Sequence, residues 1–97
     1  MTQTRQRLPN RRLNSAFVFE FEGHQYRASA GRFDDGRLAE IFLDCGKPNT
    51  PLQLNAETAA ILTSLALQHG VNAETIRHAV NGPIAVALDH FLKVAVL

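Results

Sequence analysis

Alternating hydrophobic and polar positions mark the first half of the chain from Ala16 onward. Phe17, Phe19 and Phe21 alternate with a valine and with glutamates. This period of two residues predicts a strand with one aromatic face, which we expect to belong to the core. A tight turn is predicted at Gly23, where the alternation stops.

Two further runs of the same period follow, and turn signals separate them. The predicted inner side of the second run carries Tyr26, Ala28 and Ala30. Asp34-Asp35-Gly36 then predicts a reverse turn, because glycine accepts a positive φ and aspartate caps its own turn. The third run extends from Arg37 to Cys45. Three strands joined by short turns predict an antiparallel meander.

The second half of the chain has the wider hydrophobic spacing of helices. The loop from Gly46 to Pro51 contains a glycine and two prolines and is therefore expected to end the sheet. The tetrapeptide Asn-Ala-Glu-Thr occurs at Asn55 and again at Asn72, and each copy predicts a helix start because asparagine is a favoured N-cap. The first helix is predicted to end near Gln68 and, being apolar around most of its circumference, to be buried on most sides.

Two shorter helices complete the predicted pattern. One is expected from Ala73 to Val80, and the other from Pro83, which suits the first position of a helix, to about Leu92. The fold class is therefore predicted as α+β, a three-stranded antiparallel β-meander followed by a layer of two to three α-helices. An exposed sheet edge, or the apolar tail at residues 94–97, would allow a homodimer.

Size and composition are those of one ordinary globular domain. The 97 residues are 45% hydrophobic and 20% charged, enough for a core that needs no disulfide. Cys45 is the only cysteine, which excludes an internal disulfide and a zinc site built from thiolates. The longest apolar run, at residues 84–88, is far shorter than the roughly 20 residues of a membrane helix. We expect a cytoplasmic protein with no membrane contact and, from the start at Met1, a complete small reading frame.

Charge is distributed unevenly along the chain. The formal net charge is +1, but residues 1–19 contain four arginines and no acid, whereas the remainder has six basic and nine acidic residues. We therefore predict a basic flexible arm at residues 1–14 and a single domain at residues 15–97. Such an arm suits an anionic partner, although four charges alone give only weak, salt-sensitive binding. The alternative is that the arginines only increase solubility. The predicted partner- or anion-binding residues are Arg5, Arg7, Arg11, Arg12, Arg32, Arg37 and Lys47.

Residue types that carry catalysis or bind metals are scattered over the predicted elements. The four histidines lack the paired spacing of metal ligands. Cys45 has no nucleophile context and is expected to be a packed thiol at the end of a strand. Gly46-Lys47 matches only part of a phosphate-binding loop, so a simple connector is favoured over an anion site. The sequence therefore predicts no enzyme, no catalytic residue, no metal and no cofactor.

Two stretches of the chain resemble the TSCPD domain family. One is Gly-Arg-Leu-Ala-Glu-Ile-Phe at residues 36–42 with the following Gly46-Lys47 pair, and the other is the apolar helix at residues 59–67 with His69-Gly70-Val71. The resemblance covers residues 16–92. Members of this family occur near the C-terminus of adenosylcobalamin-dependent ribonucleotide reductases and as short bacterial or phage proteins. The Thr-Ser-Cys-Pro-Asp string of the family name is absent here, so the resemblance implies a fold and a noncatalytic accessory role, without catalytic residues.

Three hypotheses for the function remain open at this point. The favoured one is a noncatalytic accessory or regulatory module that binds a larger macromolecular partner, for which a ribonucleotide reductase is one candidate. The second is a nucleic-acid or nucleotide binder that uses the same arginines as phosphate contacts. The third is a phage or mobile-element inhibitor, similar to an anti-CRISPR protein, that acts on a host protein–nucleic-acid complex.

Overall fold

A computed structural model describes residues 5–6 and 13–94 of the chain, and its elements follow the predicted order. Three strands form one antiparallel sheet in the order β1-β2-β3: β1 (Leu13–Phe21), β2 (His24–Arg32) and β3 (Leu38–Asp44). Three helices follow: α1 (Pro51–Gln68), α2 (Ala73–Ala79) and α3 (Pro83–Lys93). The predicted α+β fold is confirmed. Within these described residues no helix has both the length and the apolarity that crossing a membrane requires.

The β1–β2 hairpin is closed by a two-residue turn at Glu22 and Gly23. Both residues have positive φ, at 50° and 81°, which matches the twist of a tight hairpin. The pairing that starts at this turn continues without a break to Leu13, opposite Arg32. β1 thus begins three residues before the alternation at Ala16, inside the segment predicted as the arm, because backbone pairing with β2 extends beyond the side-chain pattern.

The inner face of the sheet packs against α3. Ala28 and Ala30 of β2 are almost fully buried, and their small side chains allow the helix to approach closely. Phe91 of α3 has no exposed surface, and its ring lies edge-on to Phe17 of β1 with 5.4 Å between ring centroids. The aromatic face of β1 predicted from sequence therefore belongs to the core, as expected.

α1 begins earlier than predicted. Its N-cap is Thr50, whose side chain accepts a hydrogen bond from the backbone N of Gln53 at 3.2 Å, and Pro51 occupies the first turn. The prediction of a cap at Asn55 is wrong, because the proline that ends the sheet also suits the start of a helix. The cap at Asn72 is confirmed, since its side chain accepts from Glu74 N at 2.8 Å.

α1 lies along the free edge of β3 and hydrogen-bonds to its backbone. Ser64 Oγ accepts from Ile41 N at 2.9 Å and donates to Ile41 O at 3.0 Å. Gln68 Nε2 donates to Ala39 O at 3.0 Å. At the other end of the strand, Gln53 Oε1 of α1 accepts a hydrogen bond from the backbone N of Cys45 at 2.8 Å. These contacts satisfy backbone groups that an edge strand would otherwise present to other chains.

The opposite side of α1 is exposed, and the prediction that this helix is buried on most sides is wrong. Leu54, Ile61 and Leu62 are each more than half exposed. The face that packs against the sheet instead carries small or polar residues, among them Ala56 and Ala60. Close approach to a strand edge favours small side chains, so most large apolar residues of α1 point away from it, whereas Leu67 is buried in the core.

Candidate partner-binding surface

Two of the predicted arginines are brought together at the C-terminal end of α1. The backbone N of Gln6 donates to Gln68 O at 2.7 Å, and Arg5 Nε donates to Gln68 Oε1. Arg37, which precedes β3, donates through Nη2 to Gln6 Oε1 at 3.2 Å. We call this group, formed by Arg5, Gln6, Arg37 and Gln68, the arginine end of the domain.

Gln68 is the residue that organises the arginine end. It is only 3% exposed and binds the chain at residues 5–6 and the edge of β3 at the same time. Its position in the last turn of α1 also places Arg5 near the negative end of the helix dipole, which favours a cation there. The buried glutamine therefore fixes Arg5 over α1, although the two residues are far apart in sequence.

Arg37 is held in a defined orientation while its side chain remains 55% exposed. Its Nε donates to Asp35 Oδ2 at 2.7 Å, and its guanidinium carbon lies 4.8 Å from the ring centre of Phe33. The hydrogen bond from the backbone N of Arg37, and then that from its side chain, keep the pKa of Asp35 below its ordinary value. A surface ion pair of this kind adds little stability, but it orients an arginine whose remaining donors face solvent.

Arg32 lies inside the domain. Its side chain is 8% exposed, Nη2 donates to Phe91 O at 2.7 Å and Nη1 donates to Gly36 O at 3.0 Å. It thereby joins the β2–β3 turn to the last turn of α3, whose final carbonyls lack partners within the helix. Burial lowers the pKa of Arg32. These contacts are internal, and a contact of Arg32 with a partner stays a prediction.

The remaining predicted residues do not join the arginine end. Lys47 is exposed in the loop between β3 and α1, beyond the opposite end of β3. Seven strand residues separate the two ends of β3 by about 20 Å, since each residue advances about 3.3 Å. Arg7, Arg11 and Arg12 lie outside the described residues, so their part in the arm stays a prediction.

A groove between α1 and β3 was not predicted from sequence. Its volume is about 570 Å³, and its walls are formed by Phe42 of β3 and by Ile61 and Leu65 of α1. The positively charged Arg5 lines one end of this groove, and the acidic residues Glu57 and Asp44 line the opposite end. The signal in the sequence was the recurrence of Leu54, Ile61 and Leu65 at helical spacing along one side of α1. We name this feature the α1 groove.

The histidines and the cysteine belong to different elements of the fold or to their ends. His90 stacks on Phe17 with 3.6 Å between ring centroids, His24 starts β2, and Cys45 is half-buried at the end of β3. Within residues 5–6 and 13–94, no three histidine, cysteine, aspartate or glutamate side chains are grouped so that they could hold a metal ion.

Comparison with known proteins identifies one family and several relatives. The TSCPD domain model matches residues 11–85. The chain is also similar to three proteins named vitamin B12-dependent ribonucleotide reductase. The identity is 36% over 74 residues for Agrobacterium fabrum, 39% over 67 residues for Bradyrhizobium diazoefficiens and 31% over 72 residues for Rhodopirellula baltica.

The similarity to these reductases is confined to a small part of each of them. The aligned regions cover 69% to 76% of this chain but only 5% to 7% of the relatives. No solved structure matches the chain significantly.

Proposed function

The chain belongs to the TSCPD domain family, and on that basis we propose that it is a noncatalytic accessory module that binds a larger protein partner in the cytoplasm. A B12-dependent ribonucleotide reductase is the first candidate for that partner. The observation that carries the proposal is the size of the shared region, since the chain matches only 5% to 7% of each reductase. In those relatives the matching region is covalently joined to the rest of the enzyme.

The arginine end is the surface that we assign to the partner. Arg37 is oriented by Asp35 and Phe33 before any partner arrives, so less side-chain entropy is lost when it binds. The attachment of residues 5–6 to Gln68 brings Arg5 to the same end. An acidic protein surface is the complementary partner, and charge of this kind mainly raises association rates and specificity.

A pair of variants with equal charge tests this assignment. Arg37→Ala combined with Arg5→Ala removes two positive charges from the arginine end, and Arg27→Ala combined with Lys93→Ala removes two exposed charges elsewhere. Binding of the purified chain to a B12-dependent reductase polypeptide would be measured by surface plasmon resonance at two salt concentrations. We expect the first variant to bind about tenfold or more weakly and the control to bind like the wild type.

The outcomes of this experiment are distinct. Equal weakening in both variants would mean that net charge, and not the arginine end, controls binding. No binding by the wild-type chain to reductase would remove the reductase from the proposal.

Nucleic acid is the second candidate partner, because the same convergence of Arg5 and Arg37 suits phosphate groups. A single-stranded oligonucleotide titrated into the chain would then bind with an affinity that falls steeply as salt rises. Binding that is absent, or that Arg37→Ala leaves unchanged, would contradict this alternative. The third hypothesis, a phage or mobile-element inhibitor of a host protein–nucleic-acid complex, remains a separate alternative, because such an inhibitor would bind the host complex and not free nucleic acid.

A further inference from the structure

The exposed side of α1 carries an apolar stripe that Thr58 interrupts. Leu54, Ile61 and Leu65 lie at intervals of seven and four residues and therefore share one side of the helix, with Leu62 beside them. Phe42 extends the same surface across the α1 groove and is 56% exposed. No side chain of this stripe is charged, which is unusual for the solvent face of a helix.

The charges around the stripe are arranged with opposite signs at its two ends. Arg5 is held at the C-terminal end of α1 by Gln68. Glu57 lies eleven residues earlier, about 16 Å along the helix at 1.5 Å per residue, and Asp44 lines the groove with it. Glu57 is exposed and accepts a hydrogen bond from Gln53 Nε2 at 2.6 Å.

An apolar stripe with a positive end and a negative end is complementary to an antiparallel copy of itself. We propose that the α1 face is a homodimer interface, in which α1 of one copy packs antiparallel against α1 of a second copy around a two-fold axis at Ile61. The two isoleucines then meet at the axis, and Leu65 of one copy lies opposite Glu57 and its neighbours in the other. Each copy places its Arg5 near the partner copy's acidic end, so the same charge contact forms twice.

The apolar area of this face is sufficient for such a dimer. Complete burial of an aromatic side chain such as Phe42 removes about 150–250 Å², and the leucine and isoleucine side chains of this face, which are somewhat smaller, fall near the lower value. Four of the five large side chains on this face are more than half exposed, so each copy contributes on the order of 500 Å². A two-fold pair therefore covers about 1,000 Å², the size at which specific interfaces begin. A second copy matches the observed charges at both ends, whereas an acidic partner would meet repulsion at Glu57 and Asp44.

The oligomeric state and one substitution at the axis test the proposal. Ile61→Lys places two like charges at the two-fold axis, while within one copy the new lysine lies four residues after Glu57 and forms a favourable helical pair. The helix should therefore remain folded. The dissociation constant of the dimer should rise about a hundredfold or more, since like charges at an interface are strongly unfavourable. Mass would be measured by light scattering after size exclusion and by sedimentation over a range of concentrations.

Val18→Asp is the matched control. Val18 is 56% exposed, like Phe42, but it lies on β1 at the other edge of the sheet, where an aspartate would face Arg27 of β2. We expect the wild type and this control to have twice the monomer mass of 10.7 kDa and Ile61→Lys to be monomeric with an unchanged circular dichroism spectrum. A wild type that is monomeric throughout, or a dimer that Ile61→Lys leaves intact, would overturn the proposal.

Exchange of the two charges provides a second, independent test. Glu57→Arg alone and Arg5→Glu alone should each weaken the dimer, because each places like charges together across the interface. The double variant restores opposite charges at both contacts and should recover most of the wild-type association constant. Additive weakening in the double variant would exclude the antiparallel arrangement. These measurements need no reductase, so their failure is distinct from a failure of the proposed function.

Discussion

Replacing Ser64 with alanine removes the hydroxyl through which the middle of α1 holds the edge of β3. Ser64 Oγ accepts a hydrogen bond from Ile41 N at 2.9 Å and donates one to Ile41 O at 3.0 Å. β3 is an edge strand, so these two backbone groups have no neighbouring strand on that side. The substitution therefore removes two hydrogen bonds and leaves the N–H and C=O groups of Ile41 without this side-chain partner.

The loss of stability follows from these two bonds and one opposing effect. Each neutral hydrogen bond contributes a net of about 0.5–1.5 kcal/mol, which gives about 1–3 kcal/mol for both. Alanine favours a helix over serine by up to about 0.7 kcal/mol, which reduces the loss. Ser64 is half-buried, so water reaches part of the vacated site. We therefore expect the free energy of unfolding to fall by about 1–2 kcal/mol.

Two measurements test this expectation. Urea unfolding followed by circular dichroism gives the free energy of unfolding, and amide hydrogen exchange gives the local effect. The amide of Ile41 should exchange faster, whereas that of Phe42, which points towards β2, should follow only the global change. Thr75→Ala is the control, because it removes a hydroxyl from an exposed position of α2, away from the α1 face, and should leave stability equal or slightly higher.

A particular result would refute this reasoning. If Ser64→Ala unfolds at the same urea concentration as the control and Ile41 exchange is unchanged, the hydroxyl does not support the strand edge.

Three further predictions concern residues on other parts of the sheet and its turns. Arg32→Met retains the apolar stem but loses the charged hydrogen bonds to the β2–β3 turn and to α3. The free energy of unfolding, measured by thermal unfolding, should therefore fall by about 2–4 kcal/mol. Gly31→Ala would bring a methyl group to 2.6 Å from Glu40 Oε2, and a destabilisation of about 1–3 kcal/mol is expected in urea unfolding. Arg37 lowers the pKa of Asp35 in the folded chain. The ionised carboxylate therefore stabilises the fold at pH values above the unfolded pKa of about 3.9, and this stabilisation is lost as the pH falls through the lower folded pKa. Asp35→Asn should accordingly reduce the acid-induced loss of stability between about pH 5 and about pH 2.

The outline of the fold could be derived from sequence because its signals are local. The alternation around Phe19, the turn at Gly23 and the cap at Asn72 each depend on residues within a few positions of one another. Period-two and helical spacing thus predicted the order and type of every element. The start of α1 at Pro51, with Thr50 as its N-cap, was missed, since a proline can both end a strand and begin a helix.

The candidate site depended on contacts between distant parts of the chain. Arg5 and Arg37 both stood among the residues selected from sequence for their charge, but nothing in the sequence indicated that Gln68 would bring them together. Arg32 had the same charge and yet lies in the interior, because its position at the end of β2 directs it towards the last turn of α3. Charge by itself does not distinguish an exposed arginine from one that caps a helix.

Composition and periodicity by themselves determined the α+β class, the three-stranded meander and the helical layer that follows it, because hydrogen bonding and burial along one element repeat with its own period. Only the tertiary structure decided which side of α1 meets the rest of the domain. A helix with apolar residues around most of its surface can pack by any side, and the narrow space beside β3 selected the alanines. That choice left Ile61 and its neighbours in solvent and created the face that we assign to a second copy.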